Sequence, residues 1–269
     1  MPATRSSRVR VLAAAALLCL AGCWGRAPRL TAFRDASIEL PAAKTGLKTG
    51  AKGAPTGELC IVNVRRDGSV WTSARRSCAA ADLQPAFAKA HARNASVIVR
   101  ADKAARWKDV RPVIRSVKKA SVPKLWFSVE DLNEAFLDYE FPVWPEGSVL
   151  MTEIWVRIKA AHVKGKGPAP ELFVDQSLMR DWEHLHSILR RYASSPEATK
   201  DPVVLAPDDD ALFGWVIRAL DCLRSFGFRR IEFPNVSIES VPIPTEEIDE
   251  TLDVPIEDIP IEPEAPTHK

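Results

Sequence analysis

From residue 58 onward the apolar positions switch repeatedly between a period of two and a period of 3.6, which predicts short strands alternating with amphipathic helices. Cys60-Ile61-Val62-Asn63-Val64 leads into Asp67-Gly68 and returns as Val70-Trp71-Thr72; Asp-Gly between two β-prone runs predicts a hairpin. Leu83 and Phe87 mark one face of a helix that runs to Arg93. A strand through Ile98 and Val99 ends at Asp102. Trp107, Val110, Ile114 and Val117 then recur at helical spacing, with Pro112 placed to kink the helix, before a short strand from Lys124 to Phe127. Further on, Ile154 to Ile158 and Leu172 to Val174 form a second strand pair. Leu185 and Leu189 mark a helix, and Val204 to Pro207 is a strand that ends at Asp208. Phe213, Val216, Leu220 and Leu223 mark a last helix, with Gly227 placed to end it.

These are two copies of one pattern. At a fixed offset of 106 positions Asp102 matches Asp208, Trp107 matches Phe213, Val110 matches Val216 and Phe127 matches Phe233, with no gap between 98 and 127. More loosely, Leu83 and Phe87 match Leu185 and Leu189, and Ile38-Glu39-Leu40-Pro41 matches Tyr139-Glu140-Phe141-Pro142. The expected fold is α+β, with two tandem β-β-α-β-α-β modules, each a small sheet with two helices. The expected modules span 58–129 and 153–235, joined by a linker over 130–152 that carries the second proline element.

The N-terminus has a different pattern. Arg5, Arg8 and Arg10 precede an apolar run from Val11 to Ala21, and Leu20-Ala21-Gly22-Cys23 closes it. A basic start, a short apolar core and small exit residues define an export signal over 1–22, too short for a membrane span. The Leu-Ala-Gly-Cys ending resembles the lipobox of bacterial lipoproteins. That resemblance implies cleavage before Cys23 and acylation of it, hence a membrane partner through an N-terminal lipid anchor. A plain secretory signal is the alternative. Trp24 in place of Asp after the cysteine leans toward the outer membrane. Residues 23–57, rich in alanine, glycine, threonine and lysine, read as a lipid-anchored stalk, with Ile38 to Pro41 as a Leu-Pro element able to dock on the first module.

Composition adds three constraints. Lys and Arg total 37 against 35 Asp and Glu, with no concentrated basic block, which argues against a nucleic-acid partner. Residues 236–269 are acidic and proline-rich, which predicts a disordered tail. Export makes a disulfide between Cys60 and Cys78 a candidate, whereas Cys222 reads as a small buried hydrophobe.

The order Leu40-Pro41, Asp67-Gly68, Val99-Arg100-Ala101-Asp102-Lys103 and a following helix and strand resembles the periplasmic domain of the ExbD/TolR family of biopolymer transport proteins. The second copy matches chiefly through Pro142, Pro207-Asp208 and the stretch from Phe213 to Phe233. The resemblance implies a non-enzymatic envelope protein, an accessory or scaffold that binds envelope transport or motor proteins, or peptidoglycan. Family members act as dimers, so two copies in one chain imply an intramolecular pseudo-dimer. The family's transmembrane aspartate has no counterpart here, so a proton-channel role does not carry over. A peptidoglycan-binding module with no motor link, and an enzyme with an unrecognised site, are the alternatives.

No catalytic constellation is expected, and neither a metal nor a cofactor. His184 and His186 are two apart on a helix and so diverge. Asp208-Asp209-Asp210 suits a hard cation by composition, but with Asp102 in the matching place it reads as helix-start capping. Arg65-Arg66, Arg75-Arg76 and Arg229-Arg230 are candidates for anionic headgroups or cell-wall polymer, against a reading as solvated strand edges. Trp71, Trp107, Trp126 and Trp155 read as core.

Overall fold

The computed structural model describes residues 32–73, 76–131, 133–142, 154–162, 167–195 and 197–237. The export signal, Cys23 and the acidic tail beyond Ser237 lie outside the described residues. The protein is α+β, with a seven-stranded and a five-stranded sheet among those residues.

In the first half, β2 (Leu59–Val64) pairs antiparallel with β3 (Val70–Ser73), which pairs with β4 (Arg76–Cys78). The Asp-Gly turn joins β2 to β3. Gly68 holds φ at 83°, where a side chain is strained, and an added Cβ would lie 2.7 Å from the Asp109 carboxyl carbon. A 3-10 turn and helix α1 (Gln84–His91) lead to β5 (Ser96–Ala101), parallel to β2. Helix α2 (Trp107–Lys119) crosses to β6 (Lys124–Asp131), parallel to β5, and β7 (Asn133–Glu140) returns beside it. A two-residue strand, β1 (Leu47–Lys48), adds to the outer edge of β7.

The second half repeats the plan. Strand β8 (Ile154–Ala161) pairs antiparallel with β9 (Ala169–Val174), and β9 with β10 (Ser177–Met179). Helix α3 (Trp182–Tyr192) leads to β11 (Val203–Pro207), parallel to β8. Helix α4 (Phe213–Ser225) crosses to β12 (Ile231–Glu232). The strand orders β4-β3-β2-β5-β6 and β10-β9-β8-β11-β12 are the same topology. Corresponding backbone bonds recur: the Asp102 amide donates to Val64 O and the Asp208 amide to Ile158 O, both at 2.9 Å. Leu83, Phe87, Leu185 and Leu189 are all fully buried, as their matched positions require.

Four expectations are corrected. Each half begins with three antiparallel strands, because the short edge strands β4 and β10 carry too few residues to show a pattern. The segment 130–152 is not simply a linker, since it holds β7, whose Ala135, Leu137 and Tyr139 face the core. The segment read as a stalk is packed from residue 32 onward: Asp35, Ile38, Ala43 and Ala54 are buried. The two proline elements are not equivalent in space. Ile38 to Pro41 docks beside Asp102, whereas Tyr139 and Glu140 end β7.

One hydrophobic core runs through both halves, and the halves meet through reciprocal contacts. The Trp107 amide donates to Ala211 O and the Phe213 amide to Ala105 O, both at 2.8 Å. The Lys108 amide donates to Asp209 O and the Gly214 amide to Lys103 O, at 3.0 and 2.9 Å. Adding 106 to the first-half residue of one bond and subtracting 106 from its second-half residue gives the partner bond, with the donating and accepting halves exchanged. The aromatic rings obey the same rule, with Trp107 on Phe233 at 4.9 Å and Phe213 on Phe127 at 5.6 Å. An antiparallel bridge between Arg106 and Leu212 sits on the exchange axis. Self-complementary contact of this kind is what a two-fold dimer interface has.

Candidate binding surfaces

The seven-stranded sheet has two faces because side chains alternate along each strand. Cys60, Val62 and Val64 enter the main core, while Ile61 and Asn63 face the other way. On that outer face Ile61, Ile98, Trp126 and Phe136 form a second, small cluster. Beside it lies a row of polar residues. The Asn63 amide nitrogen donates to Phe33 O at 2.9 Å and its oxygen accepts from the Asp35 amide at 3.1 Å. Arg100 Nε donates to Glu134 at 3.0 Å and Arg100 Nη1 to Asp35 O at 3.1 Å; Ser128 Oγ donates to the same Glu134 oxygen at 2.8 Å. Arg34 reaches the other Glu134 oxygen at 2.7 Å, and Arg65 holds Asp35 at 2.7 Å. Burial pushes the Asp35 carboxyl up, but the Ser37 hydroxyl and amide and the Arg65 guanidinium outweigh it and leave the group below its ordinary value. This network escaped the sequence reading. Its signal was one polar residue in each of three apolar strand runs, at Asn63, Arg100 and Ser128.

The segment from residue 32 to residue 57 thus forms a strap over the first half. Its middle is held by backbone atoms. The Glu39 amide donates to Asp102 Oδ2 at 3.2 Å, the Lys103 amide to Glu39 O at 2.8 Å, and the Glu130 amide to Pro41 O at 2.9 Å. Further along, the Lys44 and Thr45 amides and the Thr45 hydroxyl all donate to the Asp221 carboxylate on α4, at 3.0, 2.7 and 2.6 Å.

Asp102 and Asp208 are not helix caps. Helices α2 and α4 begin later, after Arg106 and Leu212, with no side-chain cap. Asp102 instead closes a turn by accepting from the Ala104 amide at 2.8 Å, and it meets Arg66 at 3.5 Å. Asp208 makes no such bond among the described residues. Desolvation raises its carboxyl above the ordinary value, Lys159 opposes this, and Asp209 adds to it. Asp209 pairs with Arg111 at 2.6 Å, and Asp210 with Arg106 and Lys108 at 3.1 and 3.2 Å. Ala160, Pro207 and the three aspartates line an open cleft of about 440 Å³. Among the described residues no group of three or more His, Cys, Asp or Glu is placed to hold a metal ion.

The candidate disulfide is not made. Cys60, Cys78 and Cys222 are free. Cys78 lies level with Val70, and Val70 with Val64, so Cys60 stands four residues away along β2 and two strands over. At about 3.3 Å per residue the offset along the strand alone exceeds the ~7 Å limit between bridged Cα atoms. Cys222 packs against the core, as expected, and burial pushes its thiol to about 11.

His184 offers its amide to the Asp181 cap at 2.7 Å, and His186 lies against Phe226 with ring centroids 4.5 Å apart. Arg65 is committed to Asp35 and Trp71, and Arg66 to Glu39 and Asp102. Arg76, Arg229 and Arg230 are exposed, and Arg75 lies outside the described residues. Trp107 and Trp126 are core residues. Trp71 and Trp155 are not: both are half-buried, with Arg65 over Trp71 at 4.0 Å and Arg157 facing Trp155 at 5.9 Å. Trp155 belongs to the outer face of the five-stranded sheet. There Arg157 is exposed, Lys159 lies over Phe173 at 5.2 Å, and Leu178 on the edge strand is 59% exposed.

No family model matches this chain, and neither a curated protein nor a solved structure does.

Proposed function

We propose that this protein is a non-enzymatic envelope lipoprotein, anchored through acylated Cys23, that works by binding as an accessory or scaffold of an ExbD/TolR-type transport or cell-wall-linked complex. The observation that carries the reading is the reciprocal contact at Arg106 and Leu212. Two copies of one topology meet as the subunits of a two-fold dimer meet, so one chain supplies what the family resemblance implies two chains supply. Covalent linkage makes that pairing independent of protein concentration. The acyl chains hold it at the membrane, and the segment ahead of the strap limits the distance. The ten residue steps from Cys23 to Phe33 span at most about 35 Å when fully extended.

Crosslinking in the native envelope, followed by identification of captured proteins, tests the reading. Capture of a motor-type membrane protein supports it. Mass spectrometry of the mature N-terminus checks the anchor, and an unmodified Cys23 overturns that part. A second reading, a peptidoglycan-binding module without a motor link, is favoured by the cation-aromatic outer face around Trp155, Arg157 and Phe173. Sedimentation with purified cell wall, lost in Trp155→Ala with Arg157→Ala, would favour that reading over the first.

A further inference from the structure

The strap of residues 32 to 57 touches the first half at many points, yet it enters the large hydrophobic core at one residue, Ala43. The six strands β7, β6, β5, β2, β3 and β4 are hydrogen-bonded to one another without it, and the strap adds only the two residues of β1 to their edge. Leu47 packs instead against the small outer-face cluster of Ile61, Ile98, Trp126 and Phe136. Segments with few buried apolar contacts are the ones that open while the rest of a protein stays folded.

The polar contacts are divided so that the strap can leave without stranding a charge. Breaking a buried ion pair costs most when one charge stays buried alone. Here Arg100, Glu134, Ser128 and Asn63 all belong to the sheet. Arg100 keeps Glu134 at 3.0 Å and Asn63 at 3.3 Å, and Glu134 keeps the Ser128 hydroxyl at 2.8 Å. Asp35 and Arg34 belong to the strap, and Arg34 and the Asp35 partner Arg65 already reach solvent. The side chain of Glu39 meets Lys103 at 3.0 Å and Arg66 at 3.3 Å, all three being exposed, and surface pairs of this kind hold weakly.

The contacts are also strung out along the strap in chain order. Phe33 and Asp35 meet Asn63 first. Glu39 and Pro41 then cross the ends of β5 and β6 by single bonds to Asp102, Lys103 and Glu130. Lys44 and Thr45 follow at Asp221, and β1 comes last. A pull that arrives from the N-terminal side therefore loads these bonds in turn rather than together.

We propose that residues 32 to 57 form a releasable tether, a strap that leaves the body as one unit while both halves stay folded. Release adds the 26 residue steps from Phe33 to Leu59 to the chain ahead of the body, at most about 90 Å when extended. It also bares the outer-face cluster of Ile61, Ile98, Trp126 and Phe136, each now at most 7% exposed. The strap thus couples a pull on the N-terminal segment to the uncovering of an apolar sheet face. The opening stands whether or not Cys23 is acylated; its use as added reach from a membrane rests on that reading.

Native-state hydrogen exchange on the full chain tests it at two neighbouring amides. Asp102 donates to Val64 O, inside the body, and Lys103 donates to Glu39 O, on the strap, at 2.9 and 2.8 Å. The Lys103 amide should be roughly a hundredfold less protected than that of Asp102. Across a guanidinium series it should follow the same opening curve as the strap amides of Asp35, Glu39, Lys44 and Thr45. Asp221→Ala should speed exchange at Glu39 and Lys103 by the same factor as at Thr45, although Asp221 bonds neither. A single chain drawn apart by its two ends should lengthen by a step of up to about 90 Å before the body unfolds. Protection at Lys103 equal to that at Asp102, separate opening curves along the strap, an Asp221→Ala effect confined to residues 44 to 48, or lengthening only together with the body would each overturn the proposal.

Discussion

Arg100 is nearly enclosed, with its guanidinium shared between Glu134, Asn63 and the Asp35 carbonyl. Removing one member of such a buried pair leaves the other charge without compensation, which typically costs about 3–5 kcal/mol. Arg100→Met should lower stability by that order in denaturant titration, and Arg100→Met with Glu134→Gln by less than the two single losses combined. The Asp35 carboxyl, held below its ordinary value of 3.8, gives stability a pH dependence of known sign. The folded state binds that proton less readily than the unfolded chain does. The contribution is therefore complete above the unfolded value and is lost as pH falls through the lower folded one. Unfolding midpoints measured from pH 6 downward should drop below about pH 4, and Asp35→Asn should flatten that part of the curve. The cysteines give a third check. Alkylation in denaturant without reductant should find the thiols of Cys60, Cys78 and Cys222 all free. In the native protein Cys222 should react slowly at neutral pH, because its thiol at about 11 leaves little thiolate.

At the scale of elements, one side chain, Asp221, takes three donors from Lys44 and Thr45, just before the strap joins the edge of β7 through β1. Asp221→Ala should speed hydrogen exchange at the amides of residues 44 to 48 and leave the strands β5 and β6 as protected as before; equal loosening of the whole sheet would refute the local role. The sequence made the strap hard to see. Its alanines, glycines and lysines carry no period, and what packs it is mostly backbone meeting side chains far away, such as Asp102 and Asp221. The strands and helices between Ile98 and Phe127, and between Val204 and Phe233, were legible because each buries one regular face. Strand β7 was missed although Ala135, Leu137 and Tyr139 alternate. Phe136 blurred the pattern by being apolar on the other face, where the second cluster buries it too. The aspartates at the turns were legible as a matched pair, but their role was not: a cap and a turn-closing acceptor use the same residue type, and only the helix start at Trp107 separates them.

At the scale of the molecule, the question is whether the halves are one folding unit or two. Four reciprocal hydrogen bonds, three aromatic pairs and one continuous core join them. Gly214 lies at the crossing, where an added Cβ would stand 3.0 Å from Lys103 O and 3.2 Å from Lys103 Cβ, so a side chain there makes Lys103 give way by a few tenths of an ångström. A half removed from its partner would expose Trp107 and Phe127, or Phe213 and Phe233, all of which are now buried. Exposing large aromatics of this kind leaves little reason for either half to outlast the other. Equilibrium unfolding should therefore be a single transition, with reporters on β2 and on β8 coinciding. Phe213→Ala truncates a fully buried ring at the shared surface and should cost about 3–5 kcal/mol. It should also lower the protection of first-half strands that Phe213 does not belong to. Gly214→Leu, which changes no core residue, should do the same by forcing Lys103 away. Two separated transitions, or a loss confined to the second half in both variants, would show that the halves are neighbours and not a fused pair.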